Sequence, residues 1–151
     1  MEFRMPNVLV QPISAAQTRP LRGSVLRPDQ PPESLVYPGD DAPEALHVGA
    51  FVDEVLLGVA SLYREEPPAV VDDGAWRLRG MAVDPAAQHQ GLGRRLIEAC
   101  VAHAKSNDGT NIWCNARSTA ADFYTALGFQ FGSDEFNTPD LIPHFVMLVR
   151  L

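Results

Sequence analysis

Within residues 76–105, WRLRGMAVDPAAQHQGLGRRLIEACVAHAK, an apolar strand, a glycine-bearing loop and an amphipathic helix follow one another directly. The strand is marked by Leu78, Gly80, Met81, Ala82 and Val83, and Asp84-Pro85 turns the chain out of it. Leu92, Leu96, Ile97, Cys100, Val101 and Ala104 then recur at the spacing of one helical face. Between strand and helix stands Gln88-His89-Gln90-Gly91-Leu92-Gly93-Arg94. Two glycines at a helix start leave backbone N–H groups uncovered by side chains, and the helix dipole adds partial positive charge at the same place. Such a place suits an anion, a diphosphate above all.

Two common diphosphate folds fail on named residues. A nucleoside-triphosphate loop needs Lys and then Ser or Thr after its last glycine, whereas Arg94-Arg95 follow here. A dinucleotide loop needs a third glycine and an acid closing the next strand. Leu96 stands at the glycine position, and the strand Ile112-Trp113-Cys114-Asn115 runs into Arg117.

Gln88, Gly91 and Gly93 fit Gln/Arg-x-x-Gly-x-Gly/Ala, the pyrophosphate loop of the GNAT superfamily of acyl-CoA-dependent N-acetyltransferases, which this stretch resembles. The resemblance continues through Trp113-Cys114-Asn115-Ala116-Arg117, Ala120-Ala121-Asp122-Phe123-Tyr124 and Leu127-Gly128-Phe129. It covers residues 76–151 well and the preceding part more loosely. It implies a mixed, mostly antiparallel central sheet of about six to seven strands flanked by helices. It also implies acetyl transfer from acetyl-CoA, the cosubstrate, to a primary amine of a small molecule or peptide, by direct attack in a ternary complex.

The rest of the chain is read in order. Residues 5–13 form a strand candidate confined by prolines, and 14–27 a helix with a possible break at Pro20, Leu21, Val25 and Leu26 facing inward, and Arg19, Arg22 and Arg27 on a solvated face. Residues 28–46, rich in Pro, Asp and Glu, are a loop whose Tyr37, Asp40 and Asp41 are weak candidates for amine recognition. Strands at 47–52 and 55–63 meet in a tight hairpin at Asp53-Glu54, with a bulge or close contact at Gly58. His47 reads as structural, and His89 and His103 as exposed. Beyond the central helix come a strand at 111–116, a helix at 119–127 capped by Ser118 and ended by Gly128, a strand at 129–131, a loop at 132–143 and a final strand at 145–151. One domain over residues 1–151 is expected.

Charge and composition narrow the partners. With 12 Lys+Arg against 19 Asp+Glu, the formal net charge is −7, which disfavours nonspecific nucleic-acid binding and is compatible with a cationic acceptor. No apolar run approaches the ~20 residues of a membrane span, and the N-terminal stretch has no signal-peptide core. A cytoplasmic protein is expected, without membrane or metal. Cys100 and Cys114 read as small buried residues. Homodimers are common in the superfamily, so a homodimer is a further expectation.

Acyl transfer from a thioester needs the donor held, a neutral amine, a stabilised oxyanion and a proton for the thiolate. The family implies that Gln88, His89, Gln90, Gly91, Leu92, Gly93 and Arg94 hold the diphosphate. Met81 and Val83 pair with pantetheine, a backbone N–H near Met81 or Ala82 polarises the thioester, and Asn115 touches the cofactor. Tyr124 matches the family tyrosine beside the sulfur. As a phenol it can protonate a thiolate downhill, since phenols ionise near ~10 and thiols near ~8.5. The base is open between Glu65 or its neighbour Glu66, His144 in a tail that resembles a family ending beside the acceptor pocket, and a water chain. A CoA-binding regulatory or structural domain without turnover is the competing reading. The acceptor itself is not identified by these motifs.

Overall fold

The computed structural model describes residues 6–68 and 70–151. They gather into two compact units, one reaching Tyr63 and including Gly80–Cys100, the other made of Arg64–Arg79 and Val101–Leu151.

In the first unit, β1 (Val8–Pro12) runs antiparallel to β2 (Leu46–Val52). Met5, expected in the first strand, lies outside the described residues. Helix α1 (Ala15–Leu21) opens on a capping box: Ser14 Oγ accepts from the Gln17 N–H, and Gln17 Oε1 accepts from the Ser14 N–H. Pro20 lies within α1 without ending it, and the chain continues into a wider π turn, Arg22–Leu26. The loop after it contains one 3-10 turn, Pro32–Leu35.

The hairpin from β2 into β3 (Val55–Arg64) turns at Asp53 and Glu54, both at positive φ, 47° and 73°, as the twist of a tight hairpin demands. Ala50 faces Gly58 while Phe51 faces Leu56, so Leu57 is the extra residue of a bulge beside the predicted glycine. A Cβ on Gly58 would lie 3.1 Å from Leu96 Cδ1, so the glycine admits helix α2 (Leu92–Ser106) close against the sheet. Leu21, Val59 and Ala82 form a buried cluster joined by Ile13, Val25, Leu26 and Leu56.

In the second unit, β4 (Ala75–Val83) contributes its first half. Ala75, Trp76 and Arg77 pair in parallel with Asn111, Ile112 and Trp113 of β5 (Asn111–Arg117). β5 also pairs antiparallel with β8 (Pro143–Arg150) along its whole length, from Asn111↔Arg150 to Arg117↔His144. β6 (Gln130–Phe131) and β7 (Phe136–Asn137) are short strands added to β8. The strand order is β1-β2-β3-β4-β5-β8-β6, with β7 also on β8. This is the expected mixed, mostly antiparallel sheet. Among the described residues it has eight strands rather than six to seven, because the stretch expected as a loop over 132–143 contains β7.

Ser118 differs from its expected role. Residues Ser118–Ala120 form a 3-10 turn before α3 (Ala121–Ala126), and the Ser118 hydroxyl donates to Glu135 instead of capping the helix. Gly128, at φ +91°, does close α3: its N–H donates to Thr125 and that of Phe129 to Tyr124. His103, expected to be exposed, is half-buried edge-on against Trp76, with ring centroids 5.4 Å apart.

Candidate active site

The loop expected to hold the diphosphate is built by the first unit. Asp84 leaves β4 with its N–H donating to Leu57 and its carboxylate accepting from Ala86, which sets the 3-10 turn Pro85–Ala87. Gln88 then reaches back and its side-chain amide donates to the Val83 carbonyl at 3.0 Å, closing the loop onto the strand. His89 and Gly91 both take positive φ, 64° and 80°. A Cβ at Gly91 would meet nothing within 4 Å, so this backbone faces open space. The first main-chain bond of α2 runs from Arg95 N–H to Gly91. The N–H groups of Leu92, Gly93 and Arg94 therefore have no acceptor within the helix. Arg94 lies 3.6 Å from Glu98, both well exposed, a weak surface pair.

The loop and the end of β4 are thus one assembly. Met81, Ala82 and Val83 lead straight into it, and Gln88 joins the two. The Val83 carbonyl is already engaged by Gln88, so of the groups expected to pair with pantetheine, that one is in use. Upstream, the β4–β5 ladder stops at Arg77↔Trp113.

The remaining predicted residues lie in the second unit. Tyr124 is buried on α3 between Phe123 and Phe129, with ring centroids 5.1 and 5.2 Å away. Asn115 is half-buried on β5 opposite Val146. Glu65 forms an ion pair with Arg77 at 2.9 Å, and its carbonyl accepts from Trp113 Nε1. His144 stacks on Phe136 and is held at 2.8 Å to the Ile142 carbonyl through Nδ1. Because a carbonyl only accepts, Nδ1 carries the proton and Nε2 is the basic nitrogen. Glu65 is bonded to Trp113, whereas His144 is in register with Arg117, four residues along β5. At ~3.3 Å per residue those two β5 positions are about 13 Å apart along the strand.

A polar cluster that the sequence did not suggest is buried in the first unit. Arg22, expected on a solvated face, is 0% exposed. Its guanidinium donates to both oxygens of Asp40, at 2.8 and 3.0 Å, to Ser61, to Tyr63 and to the Leu35 carbonyl. It also lies 4.0 Å over the Tyr37 ring. Asp40 accepts further from the Tyr63 hydroxyl and from the Tyr37 N–H. His47 completes the cluster, with Nε2 donating to the Asp40 carbonyl and Nδ1 2.7 Å from Ser61 Oγ.

Burial alone would raise the Asp40 carboxyl, but hydrogen bonds from Arg22, Tyr63 and the Tyr37 backbone outweigh it and hold the group at about 2. Burial and the Asp40 bond push the Tyr63 phenol up to about 12. Burial would lower Arg22, yet its bond to Asp40 and the neighbouring charges raise it. Asp40 is therefore not available to a substrate amine, and neither is buried Tyr37, contrary to the sequence expectation. His47 is structural, as expected.

Cys100 and Cys114 are unpaired and buried, and burial pushes both thiols up to about 12. Among the described residues, no helix is long and apolar enough to cross a membrane.

A mixed sheet with a parallel β4–β5 seam, and a glycine loop at a helix start, match the acyl-CoA N-acyltransferase class of fold. A profile of the GNAT acetyltransferase domain matches residues 25–151, and the chain belongs to that family of N-acetyltransferases. It is 34% identical over 143 residues to YitI of Bacillus subtilis (strain 168), described as an uncharacterized N-acetyltransferase, covering 94% of this chain and 95% of the relative. Among solved structures, Ard1 from Thermoplasma volcanium superposes with a TM-score of 0.75 at 14% identity, covering 95% of this chain and 97% of that one. An aminoglycoside 6'-N-acetyltransferase complexed with coenzyme A superposes with a TM-score of 0.69 at 15% identity, covering 94% and 96%. At those identities the solved structures speak for the fold alone.

Proposed function

We propose that the donor of this acetyltransferase is acetyl-CoA, its diphosphate held by the backbone of residues 88–94 and its pantetheine by the main chain of Met81–Val83. The observation that carries the reading is the loop itself. It combines Gly91 at positive φ facing open space, the unbonded N–H groups of the first turn of α2, and a side-chain tie from Gln88 to the strand that supplies Met81 and Val83. The same loop would serve a CoA-binding regulatory or structural domain without turnover; what favours turnover is membership of a family of N-acetyltransferases.

In the proposed reaction a primary amine of a small molecule or peptide attacks the thioester carbonyl directly. The main-chain N–H at Met81 or Ala82 stabilises the oxyanion, and Asn115 contacts the donor. Tyr124 gives its phenolic proton to the departing thiolate. For the base we choose His144 over Glu65. Its Nδ1 is committed to the Ile142 carbonyl, which turns the lone pair to Nε2, while the Glu65 carboxylate is neutralised by Arg77. One domain over residues 1–151 is part of the proposal, since β4 and α2 each run from one unit into the other. Two unpaired buried thiols suit a reducing cytoplasm, and a homodimer, testable by light scattering, fits the family habit.

The test is thiol release from acetyl-CoA against polyamines, amino acids, aminoglycosides and peptides bearing free amino groups, with Tyr124→Phe alongside. Release with one acceptor class, reduced about ten- to a thousandfold in the variant while CoA binding persists, is expected. Full activity in the variant would remove Tyr124 from the mechanism, and failure to bind acetyl-CoA would remove the donor assignment.

A further inference from the structure

Gly80 lies within β4 at φ +66°, a left-handed residue in an otherwise extended strand. Such a residue re-aims the peptide that follows it, and only glycine takes the conformation without penalty. The residue that follows is Met81, one of the two positions, with Ala82, at which the acyl-transfer reading places the oxyanion donor.

The buried cluster occupies the space directly against this point. A Cβ on Gly80 would lie 3.0 Å from Tyr37 Cε2 and 3.2 Å from Arg22 Nε. The guanidinium stacks on the Tyr37 ring, and its other nitrogens are tied to Asp40, Ser61, Tyr63 and the Leu35 carbonyl. Arg22 Nε, the nitrogen nearest Gly80, is buried and makes no hydrogen bond. Leaving that donor unpaired carries a desolvation cost, and it is held there by every other bond of the group. Asp40 in turn fixes Tyr37 through the backbone N–H. The result is a bonded surface of Tyr37 and Arg22 that leaves no room for a side chain at position 80.

We propose that Tyr37 and Arg22, anchored by Asp40, are positioning residues that hold the left-handed backbone at Gly80 and so set the direction of the Met81 N–H toward the thioester carbonyl. The proposal rests on the acyl-transfer reading given above. It gives this ionic cluster a role besides stability: a rigid stop behind an oxyanion donor, whose alignment matters on a sub-ångström scale.

Tyr37→Phe and Tyr37→Leu separate positioning from folding, because Phe keeps the ring against Gly80 and under Arg22 whereas Leu removes it. Each is compared with the parent for kcat and for KM of acetyl-CoA well below its melting temperature, and for the 1H–15N shifts of the Gly80, Met81 and Ala82 amides. The Phe variant is expected to keep the parental kcat and shifts. The Leu variant is expected to lose about ten- to a hundredfold in kcat with KM for acetyl-CoA little changed, and to move the Met81 amide. Unchanged kcat in the Leu variant, or a fall in kcat with unmoved amides, overturns the proposal. A parent protein inactive toward every amine would sink the acyl-transfer reading instead, and the amide shifts would then decide this one: unmoved in Tyr37→Leu, they refute it.

Discussion

Replacing Asp40 with alanine removes the acceptor of two Arg22 nitrogens, of the Tyr63 hydroxyl and of the Tyr37 N–H. The guanidinium stays at 0% exposure with its charge uncompensated. Breaking one side of a buried ion pair in this way costs about 3–5 kcal/mol, a large share of the ~5–15 kcal/mol that holds a domain together. For a chain of this length each kcal/mol moves the midpoint by about 2–4 °C, so the melting temperature should fall by roughly 6–20 °C. The assay is calorimetry at pH 7 with urea unfolding as a cross-check. Removing the other charge as well, in Asp40→Leu with Arg22→Met, should recover most of the loss, since apolar replacements of buried pairs are often neutral or better.

The pH dependence has a definite sign. The folded carboxyl sits at about 2 against an ordinary value near 3.8, so between those pH values the unfolded chain binds more protons. The stabilisation is present above pH ~4 and is lost as the pH falls toward 2, an amount of about 2 kcal/mol. The Asp40→Ala protein should lack that portion of the acid slope. A loss below about 1 kcal/mol at pH 7, or an acid limb identical to the parent's, would refute the buried-pair argument.

Two further outcomes are expected. Cys100 and Cys114, buried and with thiols pushed up to about 12, should resist Ellman's reagent in the native state and react fully in denaturant, and fast native labelling of either would contradict its burial. His144→Gln should lower kcat about a hundredfold or more while Glu65→Gln stays within about fivefold, read as kcat against pH, and the opposite ranking would move the base to Glu65.

The sequence carried the strand–loop–helix passage because each part depends on near neighbours. The two glycines and the apolar stripe of α2 all lie within residues 76–105, and the hairpin at Asp53-Glu54 and the closure at Gly128 are equally local. The errors have physical causes as well. Ser118 had the chemistry of a cap, but Glu135, 17 residues away, offers its hydroxyl an acceptor. β7 is two residues long and exists because β8 provides an edge to pair with.

Arg22 is the instructive miss. Its position was readable: it stands three and four residues before Val25 and Leu26, which face inward, and four after buried Thr18, so it falls on the apolar stripe. An arginine there is expected to turn outward unless something neutralises it, and nothing within its own helix does. The partner is Asp40, in a proline- and acid-rich stretch with no periodicity to place it. Once the two are paired, the length of the loop over 28–46 has an explanation, because Leu35 and Tyr37 are bonded to the same ion pair through their backbones. The loop is long for a compact fold because it must carry a carboxylate over a buried arginine, and that arginine stands behind Gly80 in the strand the acetyl donor is proposed to use.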